Sequence, residues 1–202
     1  IIDAQQWHFP FEKLQRAIQE KINEDQAKYG IALSDENNLV SDFLKARLRQ
    51  RLATRNIRHD VIEAVLASEQ KDVSRLFQAA ELVSQHLADQ EFKPSMEALT
   101  RVMNLAKKQE TKNSDIQPDL FENEAEKALF EAVTEVEANF ATNTMAENYQ
   151  ALVALRPAIE AYFDQTMVMV DDASIRANRL ALLAKISKMV LAIASLDQLV
   201  TK

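Results

Sequence analysis

Tyr162-Phe-Asp-Gln-Thr-Met-Val-Met-Val-Asp-Asp-Ala-Ser-Ile-Arg-Ala-Asn-Arg-Leu-Ala-Leu-Leu183 is the stretch on which the reading of the fold turns. Asp171 or Asp172 is placed to accept the first free amides of a helix, which predicts a long final helix from about Ala173 to Leu199. Ahead of that cap, Met167-Val-Met-Val170 lacks helical amphipathicity and is expected to cross the interior as a buried connection. Upstream, Pro157 interrupts an apolar-periodic segment from about Met145 to Phe163 and predicts a kink or a division.

The rest of the chain extends this pattern. One glycine and four prolines in 202 residues leave almost nothing for primed turns and bulges, so the expected class is all-α, a multi-helix bundle. Pro10 suits a first helical position before Phe11, Leu14, Ile18 and Ile22, and Gly30 suits a left-handed cap. Ser34 can open a second helix with Val40, Phe43, Leu44, Leu48 and Leu52 as its apolar face. Asp60 with Glu63 has the spacing of a capping box before Val61, Ile62, Val65 and Leu66. Further helices are expected from Asp72 to Leu87, from Pro94 with Leu99, Val102, Met103 and Ala106 inward, and from Asn123 with Leu129, Phe130, Val133, Val136 and Phe140 inward. Residues 109–120 form the clearest loop. The expected organisation is a helical appendage over 1–33 and one main helical domain over 34–202.

Composition narrows function. The absence of cysteine removes disulfides, zinc fingers and thiol nucleophiles, and no apolar run is long enough for a membrane span, so the cytoplasm is the expected compartment. The start at Ile1-Ile2-Asp3, without methionine, is read as a cut inside a larger protein. His8, His59 and His86 lack the acidic spacing of a metal bundle, and no nucleophile–base constellation is visible, so the chain itself is expected to be non-catalytic and metal-free. His59-Asp60 has the form of a metal-phosphohydrolase dipeptide, but Asp60 reads better as a helix cap.

A net charge of −7 argues against a general nucleic-acid binder, yet the charge is uneven. Residues 41–60 carry six Lys/Arg against two Asp, a local +4, and residues 109–150 carry ten acids against two lysines, a local −8. The basic arm is Lys45, Arg47, Arg49, Arg51, Arg55 and Arg58. At helical spacing Lys45 and Arg49 should point away from the Leu44/Leu48 stripe, and Arg47 and Arg51 should fall within or beside it. The arm admits two readings, a solvated or carboxylate-paired face or a wall that meets phosphate. Arg101, Asn104, Lys107 and Lys108 form a second basic cluster, and Arg176, Asn178 and Arg179 a third, which either reads RNA bases or pairs with Asp164, Asp171 or Asp172. The acidic helix near 122–137 is expected to be a solvated face, away from any RNA path.

Three stretches resemble the β subunit of the bacterial heterotetrameric glycyl-tRNA synthetase at its C-terminal anticodon-binding domain. They are Asp42-Phe-Leu-Lys-Ala-Arg-Leu-Arg49 with Asp60-Val-Ile-Glu-Ala-Val-Leu66, then Ala98-Leu-Thr-Arg-Val-Met-Asn104, and the stretch quoted at the outset with Leu155-Arg156 ahead of it. Order and spacing agree over about residues 40–199, and the third stretch is the most specific. The family's Arg-x-Pro-x-Asp reads here Arg156-Pro157-Ala-Ile159-Glu160, and Thr166 stands where valine is usual. The resemblance implies a domain similar to the anticodon-binding domain of arginyl-tRNA synthetase, whose target is the anticodon stem-loop of tRNA-Gly. It implies catalysis in the α subunit, with ATP and Mg used by the parent holoenzyme and no cofactor in this chain. The implied partners are tRNA-Gly and, through the full-length β subunit, the α subunit, with no DNA and no membrane. The alternative from another class is a helical protein–protein module docking through the acidic face. The RNA-contact candidates are Lys45, Arg47, Arg49, Arg51, Arg55 and Arg58, then Arg101, Asn104, Lys107, Lys108, Arg176 and Arg179.

Overall fold

A computed structural model of the chain describes residues 10–30, 37–109 and 115–200, with the side chains of residues 11, 12 and 37–41 outside that description. The expectations for Ile1, His8, Ser34 and Val40, and for the boundary between 33 and 34, lie outside the described residues. The elements are α1 (Phe11–Tyr29), α2 (Asn37–Ala53), α3 (His59–Leu66), α4 (Val73–His86), α5 (Phe92–Ala106), α6 (Glu124–Phe140), α7 (Met145–Ala154), α8 (Arg156–Gln165) and α9 (Ala173–Leu191), with 3-10 turns at Pro118–Leu120 and Leu196–Gln198. Among the described residues there is no strand, only an isolated bridge between Pro10 and Asp72, and no helix long and apolar enough to cross a membrane.

α9 is the axis of the bundle. Asp172, not Asp171, caps it, its Oδ1 accepting from Ser174 N at 2.8 Å and Ile175 N at 3.0 Å. Leu180, Leu182, Leu183, Ile186 and Val190 are all buried, while Lys185 and Lys188 mark the strip that faces outward. Its main neighbour is α5, which contributes Met96, Leu99, Val102 and Met103 to the same core. α9 ends at Leu191, not Leu199. The Leu191 carbonyl accepts from Glu69 N at 2.8 Å and Ser195 N donates to the Ala64 carbonyl at 2.8 Å, so backbone pairing with α3 and the turn after it replaces another helical turn.

Pro157 stands at the second position of α8 and separates it from α7, so the expected interruption is a division. Gly30 adopts φ 66°, closing α1 with its amide on the Gln26 carbonyl at 2.8 Å, as its position after the stripe suggested. From Lys13 to Gly30 no side chain of α1 is buried, and Leu14 and Ile18 stand exposed.

Two local expectations fail for a physical reason. Asp60 does not cap α3: Arg58 holds the cap position, and the Asp60 carboxylate is taken by Arg58 and by Val200 N at 2.8 Å, while Glu63 turns to Arg49. Met167–Val170 is not a buried crossover. Val168 points inward, but Met167 is 73% exposed and Met169 46%. What the connection covers is a guanidinium, Arg179, which donates to the Met167 carbonyl at 3.1 Å.

Arg179 is 4% exposed and Glu126 1%. Arg179 Nε donates to Glu126 Oε1 at 2.9 Å and Nη2 donates to Glu126 Oε1 and to Glu122 Oε2, both at 2.6 Å. Asn123 completes the cluster, capping α6 through Glu126 N at 3.0 Å and donating to Thr166 Oγ1 at 3.1 Å. One residue away, Asn178 bonds both backbone groups of Gln117, at 2.7 and 3.0 Å, and so ties the loop before α6 to α9. The acidic helix is therefore not simply a solvated face, because Glu126 is a core residue.

Removing one partner of a buried, hydrogen-bonded pair strands the other charge. Arg179→Met is expected to lower the unfolding free energy by about 3–5 kcal/mol, read by urea denaturation. The double variant Glu126→Gln/Arg179→Met should lose less than the sum of the single changes; additive losses would show that the pair is not coupled.

Candidate nucleic-acid interface

The basic arm is largely committed to the fold. Arg49 forks onto Glu63 across α2 and α3, with Nε to Oε1 at 2.5 Å and Nη2 to Oε2 at 2.9 Å. Arg55 pairs with Glu81 on α4 while its guanidinium lies 4.7 Å from the centre of the Phe77 ring. Arg58 grips Asp60 with both arms of its fork and donates to the Val200 carbonyl at 2.9 Å. Each of these cations is therefore paired with a carboxylate.

Lys45 is exposed as expected, but Arg49, Arg47 and Arg51 are placed the other way round from expectation. Arg49 borders the buried side of α2, whereas Arg47 and Arg51 are exposed, Arg47 donating to Gln50 Oε1 at 3.1 Å. Phe43 explains the reversal. Counted as core, it drags the apolar arc toward Arg47, but it lies nine residues from Leu52, roughly half a turn out of phase on a helix, and is 68% exposed. Lys45, Arg47, Arg51 and Arg58 are exposed, Arg58 with its fork on Asp60.

The third cluster is bonded within the fold. Arg176 Nη1 donates to the carbonyls of Val170 at 2.6 Å and Asp171 at 3.1 Å, closing the turn into α9. Arg179 and Asn178 are buried in the contacts already described, and the carboxylates that hold Arg179 are Glu126 and Glu122 rather than Asp164, Asp171 or Asp172.

The second cluster is arranged differently. Arg101 and Asn104 on one face of α5 and Lys108 in the turn after it line an open groove of about 570 Å³ with Glu97 and Thr100. Leu105 and the turn residues Leu196 and Leu199 supply its apolar wall. Among the described residues no carboxylate lies within ion-pair distance of Arg101 or Lys108. Lys107 is turned aside, its Nζ on Asp197 Oδ2 at 2.9 Å. The Ser195 hydroxyl at 2.6 Å, with Lys107 behind it, holds Asp197 below the usual carboxylate range.

Arg101 has one further contact: its guanidinium carbon is 4.0 Å from the centre of the Phe163 ring on α8. The sequence reading named Arg101, Asn104 and Lys108 but missed Phe163 and the Leu196–Leu199 wall. No local signal connects residues that far apart, although the Glu97, Arg101, Asn104, Lys108 spacing does mark one helical face. Among the described residues no cluster of potential metal ligands occurs; His86 instead bonds Asp89 at 2.6 Å and stacks on Tyr149.

Residues 95–196 match the family described as the DALR anticodon binding domain. Over the whole chain, the sequence is 36% identical to the glycine–tRNA ligase beta subunit of Lactiplantibacillus plantarum, 36% to that of Listeria welshimeri and 37% to that of Levilactobacillus brevis. The chain spans about 30% of the length of these curated relatives. The matched segment contains α9 and the groove residues from Glu97 to Leu196, but not Asp197 and Leu199, and it leaves out the basic arm.

The clasp that ties the start of α3 to Val200, next to the groove wall, is titratable. The Arg58 fork, helped by the Val200 amide, holds Asp60 down at about 2, and Arg49 holds Glu63 low in the same way. A carboxylate with a depressed folded-state pKa stabilises fully above its unfolded value and loses that contribution as pH falls toward the folded one. Thermal unfolding should therefore show a loss of stability between about pH 5 and pH 2. Asp60→Asn should flatten part of that loss; an unchanged acid profile would mean the clasp contributes nothing.

Proposed function

We propose that this chain, which belongs to the DALR anticodon binding domain family, binds the anticodon stem-loop of tRNA-Gly through the α5 groove. It does so as part of a glycine–tRNA ligase β subunit and performs no chemistry itself. The observation that carries this reading is the division of the cations. Arg49, Arg55, Arg58 and Arg179 are bound to carboxylates, whereas Arg101 and Lys108 face an open groove with Asn104 between them, inside the segment that matches the family. Hydrogen-bonding, aromatic and cationic groups in one concave surface suit a single-stranded loop, whose splayed bases can be stacked and paired. Lys45, Arg47 and Arg51 supply further charge for the phosphate backbone.

On this reading the ligation chemistry, with its ATP and magnesium, belongs to the α subunit, which the chain reaches through the remainder of the β subunit. The compartment is the cytoplasm, and neither DNA nor a membrane is a partner. The acidic-face alternative loses its centre, because Glu126 is buried against Arg179.

Titration of the chain with a tRNA-Gly anticodon stem-loop at several salt concentrations tests the reading. Affinity should fall by roughly 0.7 log units per log unit of salt for each phosphate neutralised. Lys108→Ala should reduce that slope by up to one such increment, and Arg49→Gln should leave it unchanged while lowering stability. Absence of binding at low salt, with the helical circular dichroism intact, would count decisively against it.

A further inference from the structure

The α5 groove mixes charges of both signs, Arg101 and Lys108 beside Glu97 and an Asp197 that is already held by Lys107. A phosphate site collects cations; this lining instead mixes donors, acceptors and apolar carbon, the composition that fits a heteroaromatic base. Arg101 is the distinctive member. One face of its guanidinium plane is occupied by the Phe163 ring at 4.0 Å, and Arg101 is exposed, with no carboxylate in ion-pair range among the described residues. A planar cation backed by an aromatic ring loses little freedom when a base lands on its other face.

Glu97, Arg101 and Asn104 follow one another at i, i+4 and i+7, so Glu97 and Asn104 stand roughly 10 Å apart along the axis with Arg101 between them. That is roughly the span of a base with a hydrogen bond at each side. Glu97 is exposed and can only accept when ionised, whereas the Asn104 amide can donate and accept.

We propose that this groove is a base-reading site in which one unpaired RNA base stacks on Arg101, with Glu97 accepting from its exocyclic amine and Asn104 pairing with its ring edge. The proposal rests on the anticodon reading above and adds the selectivity. A base that carries an exocyclic amine is accepted, and uracil, which would place a carbonyl oxygen against Glu97, is rejected. Arg101 is the stacking residue, and Phe163 is a positioning residue that acts only through it.

Binding of the whole chain to stem-loops carrying one abasic loop position at a time tests this, because abasic sites remove a base and keep the phosphate. The unmodified chain should show one position where base loss weakens binding about tenfold or more, the scale of one base–side-chain stack. Uracil at that position should also weaken binding. Arg101→Lys keeps the charge and removes the plane, so it should abolish the abasic penalty while the salt slope stays the same. Phe163→Leu should reduce the penalty with an intact circular dichroism spectrum, and Glu97→Gln should relieve the rejection of uracil. A penalty that survives Arg101→Lys, or a salt slope that drops with it, would overturn the stacking role and leave the anticodon reading standing. Loss of all salt-dependent binding in the unmodified chain would remove both.

Discussion

A guanidinium with almost no solvent around it holds this domain together. Arg179 is 4% exposed, and a charge in that position is tolerated only because Glu126, Glu122 and the Met167 carbonyl surround it with acceptors. Those partners come from the start of α6, the turn before it and the α8–α9 connection, so one side chain sets where three segments meet α9. The neighbouring Asn178 fixes the loop at Gln117 by the same device, using both its donor and its acceptor on one backbone unit. α5 packs on α9, so the groove on the outer side of α5 inherits its position from this arrangement.

The same logic separates structural cations from functional ones. In a chain of net charge −7, carboxylates outnumber cations, and most arginines that approach another helix meet one. Arg49, Arg55 and Arg58 each cross to another segment or turn by this means, and Arg58 also fastens the C-terminal end of the described chain through Val200. Local positive charge therefore marks where the helices are stitched together more than where RNA lies. Arg101 escapes because its partner is a ring and not an acid. A ring leaves both the charge and one face of the plane available.

What was legible in the sequence is what is encoded within a few residues. The α9 cap at Asp171 or Asp172, the helix start near Asn123, the interruption at Pro157 and the Gly30 turn all depend on local backbone chemistry, and the structure has each of them, with Asp172 as the cap and Pro157 as a division. What was not legible depends on partners far along the chain. Asp60 looked like a cap because its partner Val200 is 140 residues away. Arg179 read either as a base reader or as a partner of nearby aspartates, because its actual partner Glu126 is 53 residues away. Phe43 misled by hydrophobicity alone, since an exposed phenylalanine reads as core until the helix phase is checked against Leu48 and Leu52. The family resemblance is strongest in the stretch that builds the α8–α9 junction, which is a folding motif. It identified the family without locating the contact surface.

The central claim is that RNA meets the α5 face and not the carboxylate-paired arginines Arg49, Arg55 and Arg58 or the start of α9. Amide chemical-shift mapping by NMR, with an anticodon stem-loop added stepwise to the labelled chain, examines all three surfaces at once. The account predicts shifts concentrated between Glu97 and Lys108 and between Leu196 and Val200, with Arg176 to Leu180 unmoved. Shifts centred on Arg49, Arg55 and Arg58 with the α5 groove silent would contradict it.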